Sequence, residues 1–133
     1  MDWYVKVLRQ YADFSGRARR QEFWMFTLIN MAVFVVLGIG AGILANVSEG
    51  LGGLAFVGIG LYYLAILVPS LAVAVRRLHD TGRSGWFLLL SLVPLVSLVL
   101  LYFYILEGDA GPNLYGPDPK DPDADVFSNV LDY

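Results

Sequence analysis

Three arginines, the chain's one histidine and an aspartate crowd into Arg76-Arg77-Leu78-His79-Asp80-Thr81-Gly82-Arg83-Ser84-Gly85-Trp86. A second basic run, Arg17, Arg19 and Arg20, precedes Glu22 and Trp24. Guanidinium forks match carboxylate and phosphate oxygens two at a time, so these six arginines could do one of three things. They could pair with Glu22 and Asp80 and lock helix ends. They could bind the phosphates of anionic lipid, each contributing on the order of 1 kcal/mol near a charged leaflet. Or they could hold a phosphorylated substrate while His79, beside Asp80, moves a proton. The first two are favoured. A lone histidine next to an aspartate is more often a hydrogen-bonded structural residue, and the chain has no G-x-S-x-G, P-loop or HExxH run. The candidate lipid- or anion-binding set is therefore Arg17, Arg19, Arg20, Arg76, Arg77 and Arg83, with Glu22, His79 and Asp80 as supporting polar groups. No catalytic residue is assigned, and enzymatic activity is not expected. The absence of cysteine removes thiolate chemistry and Cys-based zinc sites. A single histidine leaves little for a transition metal, so neither metal nor cofactor is expected.

The elements that must position these groups are apolar. Hydrophobic residues make up 57% of the 133 and charged residues 16%, more apolar than soluble domains usually are. Trp24–Ala45, Leu51–Val75 and Trp86–Leu106 are free of charge and run to 22, 25 and 21 residues. Each can cross a hydrocarbon core of about 30 Å as a helix. None shows strand alternation, and only helices or closed barrels satisfy their backbone in lipid. The expected fold is an all-α membrane protein. A short amphipathic N-terminal helix and basic turn (1–23) lead into three transmembrane helices (24–106, with spans 24–45, 51–75 and 86–106). A Pro/Gly-rich acidic tail (107–133) follows.

In residues 2–14, Trp3, Tyr4, Val7, Leu8, Tyr11 and Phe14 recur at helical spacing opposite Lys6, Arg9, Gln10 and Asp13. Such a helix lies in the headgroup region or packs on the protein's own bundle. Ser15 is positioned to cap the next helix. Gly82 is expected to end the second long helix as a left-handed cap, and Ser84 to cap the third. Trp24 and Trp86 read as interface anchors. The first span starts too far in and is too long for a cleavable signal, so it should remain as an anchor. Glycines crowd the first two spans, Gly38, Gly40 and Gly42 on one and Gly52, Gly53, Gly58 and Gly60 on the other. They suit close packing within the hairpin, or a homodimer seam. Pro69 should free the carbonyl of Ala65, with Ser70 near enough to help. In the tail, Asp121, Asp123 and Asp125 alternate like the start of a calcium loop, but Val126 stands where the loop needs glycine.

Eight of the nine Lys/Arg lie between Lys6 and Arg83, and seven of the twelve Asp/Glu follow Leu106. The positive-inside rule then places the N-terminus and Arg76–Gly85 in the cytoplasm of a bacterial inner membrane. With three spans the tail falls in the periplasm. If the chain instead turns back at Pro94, the last stretch is re-entrant and the tail is cytoplasmic.

Three blocks carry a family resemblance: Asp13-Phe14-Ser15-Gly16-Arg17-Ala18-Arg19-Arg20-Gln21-Glu22-Phe23-Trp24, the Arg76–Trp86 stretch, and Asn113-Leu114-Tyr115-Gly116-Pro117-Asp118-Pro119. Together they resemble the bacterial inner-membrane family catalogued as domain of unknown function 805, the YhaH-like proteins, over roughly residues 3–120. The resemblance implies an integral inner-membrane protein of unassigned activity and brings no catalytic residue. It also suggests that the three blocks share one face, which the charge-derived topology denies. The expected function is a non-enzymatic membrane module whose arginines bind anionic phospholipid or a partner protein. The alternative is a small oligomeric transport or channel subunit, and a less favoured one an enzyme acting on lipid phosphates. Partners would be the bilayer and its anionic lipids, a second copy or another membrane protein, and not nucleic acid.

Overall fold

Two long helices dominate the computed structural model, which describes residues 2–123. Residues 124–133 of the expected tail, with Asp125 and Val126 of the stretch that resembles a calcium loop, lie outside the described residues. Helix α1 (Asp2–Arg9) is followed by α2 (Arg20–Val47) and α3 (Glu49–Asp80). The 28 and 32 residues of α2 and α3 correspond to about 42 and 48 Å at helical rise. Both are long and apolar enough to cross a membrane. They form an antiparallel hairpin turned by Ser48 alone, whose extended backbone separates the two helices. We call this the turn end of the hairpin and the opposite end the arginine end.

Gly52 is required at the turn, because a Cβ there would sit 2.6 Å from Ala45. The other span glycines behave differently. A Cβ at Gly38, Gly40, Gly42, Gly53, Gly58 or Gly60 would meet nothing within 4 Å. Packing inside the hairpin therefore accounts for one glycine of the seven. Gly40 and Gly58 instead floor an open apolar groove of about 740 Å³ between α2 and α3, lined also by Val36, Ala41, Ala55 and Tyr62.

The last apolar stretch departs from expectation. Residues 86–106 do not form one spanning helix. A 3-10 helix (Gly85–Leu92) goes in, the chain turns around Pro94, and α4 (Ser97–Ile105) comes back. Pro94 cannot donate a helical hydrogen bond; Leu90 O, which it would have faced, accepts from Val93 N–H at 3.1 Å instead, and Ser97 Oγ donates to Pro94 O at 2.6 Å. The two arms are about 16 and 14 Å long at their respective rises, roughly half of the hydrocarbon thickness. Both ends of this helical pair lie at the arginine end. The described part of the tail consequently packs at that end, on Arg17 and Arg77, and not at the turn end where the three-span count placed it.

Helix α1 ends at Arg9, sooner than residues 2–14 suggested, and packs on the hairpin. Val7 is fully buried and Tyr4 stacks on Phe26 with ring centroids 5.1 Å apart. Val5 and Leu8 face outward, so the helix has both an inner contact and an apolar outer face. Beyond it, Tyr11 hydroxyl donates to Ala65 O, the carbonyl orphaned by Pro69, while Ser70 Oγ donates to Ile66 O at 2.7 Å. The proline in the membrane helix is thus satisfied from outside it. A further polar pair fastens α1. Tyr4 hydroxyl donates to Asn30 Oδ1 at 3.3 Å, Tyr62 hydroxyl donates to the same atom, and Asn30 Nδ2 donates to Phe26 O at 2.8 Å.

Candidate functional site

The arginine blocks meet in a buried knot built around two carboxylates. Helix α3 runs to Asp80 and stops because Gly82 takes φ +74°, a left-handed cap. Arg83 N–H closes the turn on Leu78 O at 2.9 Å. Ser84 Oγ then accepts from Trp86 N–H at the start of the 3-10 helix. This geometry leaves Asp80 pointing into the junction of α2, α3 and the tail. Arg17 Nε donates to Asp80 Oδ1 at 2.9 Å, and Arg77 Nη1 donates to Oδ2. All three side chains are at least 98% buried.

The second carboxylate is Glu22, in the first turn of α2, where an acid suits the helix dipole. Arg76 Nη1 donates to Glu22 Oε1 at 3.2 Å and also to Gln10 Oε1, while Lys6 Nζ lies 3.3 Å from Oε2. Glu22 thus pairs across to α3 and α1 and not with Arg19. Ser15 does not cap α2 either: its N–H and hydroxyl bond Asp13 Oδ1 at 3.0 and 2.6 Å. The hydroxyl and N–H of Ser15 hold the Asp13 carboxyl below its usual range. The N-cap position belongs to Arg19, whose side chain makes no cap bond.

Arginine also fastens the returning arm. The last carbonyls of a helix have no partner inside it, and those of α4 are met by cations, which the negative end of the dipole favours. Arg77 Nε donates to Tyr104 O at 3.3 Å and its Nη2 to Leu106 O. Arg20 Nη1 donates to Ile105 O and Trp24 Nε1 to Tyr104 O, both at 3.2 Å. Trp24 therefore anchors α4.

The tail closes over the knot. Asp109 N–H donates to Asp80 O at 2.7 Å. Arg17 Nη1 donates to Gly111 O at 2.7 Å, and Nη2 to Asp109 O. Asn113 Nδ2 donates to His79 O at 2.9 Å, and the Tyr115 ring stacks on His79 with centroids 4.0 Å apart. His79 Nδ1–H donates to Gly16 O at 3.0 Å, which fixes the neutral ring's tautomer. The approach is so close that a Cβ on Gly108 would sit 2.0 Å from Asp80 Oδ2. Within the tail, Gly111 N–H donates to Asp118 Oδ2 at 3.0 Å and Lys120 N–H to Oδ1 at 2.9 Å. Those contacts, the Lys120 N–H first, hold the Asp118 carboxyl below its usual range.

The six candidate arginines separate into two groups. Arg17, Arg76 and Arg77 are buried and turn their guanidiniums on Asp80, Glu22 and carbonyls. Arg19, Arg20 and Arg83 lie on the rim. Arg19 sits over the Trp3 ring at 5.4 Å and donates through Nε to Pro119 O. Arg20 pairs with Glu107 at 2.8 Å. Arg83 lies over the Phe103 ring at 3.9 Å. Trp86 is 79% exposed, next to Ser84 and His79 in an open pocket. Gln10, Lys6, Glu107, Gly108, Asp109 and Tyr115 belong to the site and were not singled out by sequence. Only Tyr115 carried a signal, as part of the third resembling block. Among the described residues no group of acidic or imidazole side chains is arranged to hold a metal ion.

The sequence is similar to that of known inner membrane proteins. The chain is 51% identical over 122 residues to inner membrane protein YhaI of Escherichia coli K12, covering 90% of this chain and 97% of the relative. It is 44% identical over 121 residues to inner membrane protein YhaH of the same organism, covering 90% and 98%. It is 30% identical over 135 residues to the uncharacterized protein YiiR, also from E. coli K12, covering 82% and 87%. No solved structure matches. The model of the family described as protein of unknown function (DUF805) matches residues 11–117, a range that takes in the knot, the hairpin and the tail block together. This helical membrane protein belongs to the DUF805 family.

Proposed function

We propose that the protein is a non-enzymatic module of the bacterial inner membrane, with its arginine end cytoplasmic, that gathers anionic phospholipid or a partner around that end. The observation that carries this is the division of the arginines. Three are tied into the knot, while Arg19 lies over Trp3, Arg83 lies over Phe103 and Arg20 pairs with exposed Glu107 on its rim. Cations with apolar stems beside interfacial tryptophans suit a negatively charged leaflet. The knot supports a holding role and not a catalytic one, since His79 is tied through Nδ1 and covered by Tyr115. Tryptophan quenching by brominated lipid tests the proposal. In mixed bilayers, brominated phosphatidylglycerol should quench more than brominated phosphatidylcholine at equal mole fraction. The triple variant Arg19→Gln/Arg20→Gln/Arg83→Gln should lose that preference. Equal quenching of the wild type by both lipids refutes it.

One observation favours a second reading, an oligomeric transport or channel subunit. A Cβ at any of six span glycines would meet nothing within 4 Å. Glycine in a helix costs about 1 kcal/mol relative to alanine, a cost that contact with another helix offsets. A monomeric mass in native-lipid discs eliminates this reading.

A further inference from the structure

Several cations of the rim line one cleft. A cleft of about 200 Å³ is lined by Arg19, Arg20, Gln21 and Lys120. These groups come from chain segments a hundred residues apart and meet only because the tail folds back onto the arginine end. Arg19 Nε is tied to Pro119 O, which orients the guanidinium and leaves its two terminal nitrogens for another acceptor. Arg20 Nη2 bonds Glu107 Oε1 at 2.8 Å, and Lys120 Nζ lies 3.7 Å from the same oxygen. Three cations against one carboxylate leave a formal charge of +2. The Glu107 side chain is 71% exposed, so it is a displaceable partner and not a buried one. A water occupies about 30 Å³ in the liquid, so the cleft has room for a compact tetrahedral anion with part of its hydration. The cleft also opens where α2 begins without a side-chain cap, and the positive end of the helix dipole adds to the attraction.

We propose that this cleft is a binding site for a phosphate group, held by the Arg19 fork, Arg20 and Lys120, with Glu107 as an internal competitor for the same cations. The proposal deepens the anionic-lipid reading, on which it rests, by giving one phosphate a defined seat. The phosphate could be carried by a lipid headgroup or be free in solution; the chemistry of the cleft is the same for both.

The test titrates detergent-solubilised full-length protein, followed by native mass spectrometry, with dihexanoyl phosphatidic acid and in a separate arm with inorganic phosphate. Saturable one-to-one binding of the lipid is expected. Lys120→Gln should weaken it about tenfold, the size of one charge-assisted hydrogen bond. Glu107→Gln should tighten it, and Arg83→Gln, on the rim but outside the cleft, should weaken it less than Lys120→Gln does. The same variant pattern with inorganic phosphate assigns free phosphate as a sufficient ligand; the pattern with lipid alone assigns the headgroup. An unaltered affinity in Lys120→Gln, or an equal loss in Arg83→Gln, overturns the site. The lipid preference in brominated bilayers can survive that result, which separates failure of the cleft from failure of the wider reading. All these side chains lie at the surface, and far-ultraviolet circular dichroism checks that each variant keeps its helices.

Discussion

Asp80 is the carboxylate on which two buried guanidiniums depend, and Asp80→Asn should be among the most damaging isosteric changes in the chain. The amide keeps the volume and one acceptor oxygen but loses the charge facing Arg17 and Arg77. A buried ion pair is weak evidence for net stability, yet removing one partner costs about 3–5 kcal/mol, because the other charge stays buried without compensation. Here two charges are left, so Asp80→Asn should fall at the upper part of that range. Arg17→Gln removes one of them and still leaves Asp80 paired with Arg77. In the double variant, one of the two stranded cations is gone. The double variant should therefore be less destabilised than the sum of the singles, by roughly 1.5–3 kcal/mol. Reversible unfolding in mixed micelles, with helix content as the signal, measures all four corners of the cycle. Additivity within about 0.5 kcal/mol would refute the reasoning, since it would mean that Asp80 and Arg17 do not share a buried contact.

Three further outcomes follow from named contacts. Gly108→Ala places a methyl group into Asp80 Oδ2 and should cost about 1–3 kcal/mol, as overpacking does, while raising proteolysis in 109–123. Asn30→Leu strips the shared acceptor from Tyr4 and Tyr62 and should cost about 1–3 kcal/mol through the hydroxyls left unsatisfied. Labelling of a cysteine at Val7, now fully buried, would report whether α1 lifts away. Asp118 has a folded pKa depressed below 3.8, so its contribution is fully present above that value and is lost as pH falls through the lower folded one. Hydrogen exchange at Gly111 and Lys120 amides should be flat in protection between about pH 5 and 8 and drop only in strong acid; Asp118→Asn should remove the drop.

Much of the hairpin was legible because helix-ending chemistry is local. Gly82 as a left-handed cap and Ser84 as the next cap need only their own backbone, and both stand in the structure. The meeting of the two basic blocks with Glu22 and Asp80 was legible too, since charges between apolar runs must collect at one depth. The path of 86–106 was not. Twenty-one uncharged residues satisfy the length of a crossing helix and of a re-entrant pair equally, and hydropathy does not distinguish them. What decides is the set of donors waiting for the α4 carbonyls, Arg77, Arg20 and Trp24, and that is a tertiary fact. The Ser15 cap failed because α2 begins only at Arg20, and Ser15 is tied into the preceding turn by Asp13. The glycines suggested close packing but could not say with what, because a missing side chain permits approach without naming the partner.

The central claim is that the tail returns to the arginine end, so that Arg17, Asp80 and Asn113 share one side of the membrane. Single cysteines in this naturally cysteine-free chain test it directly, at exposed Ser15, at Ser48 in the hairpin turn and at Leu114, which is 96% exposed. With a membrane-impermeant maleimide on intact spheroplasts, Ser48→Cys should label while Ser15→Cys and Leu114→Cys stay protected until the membrane is opened. Labelling of Leu114→Cys together with Ser48→Cys, and not with Ser15→Cys, would contradict the account.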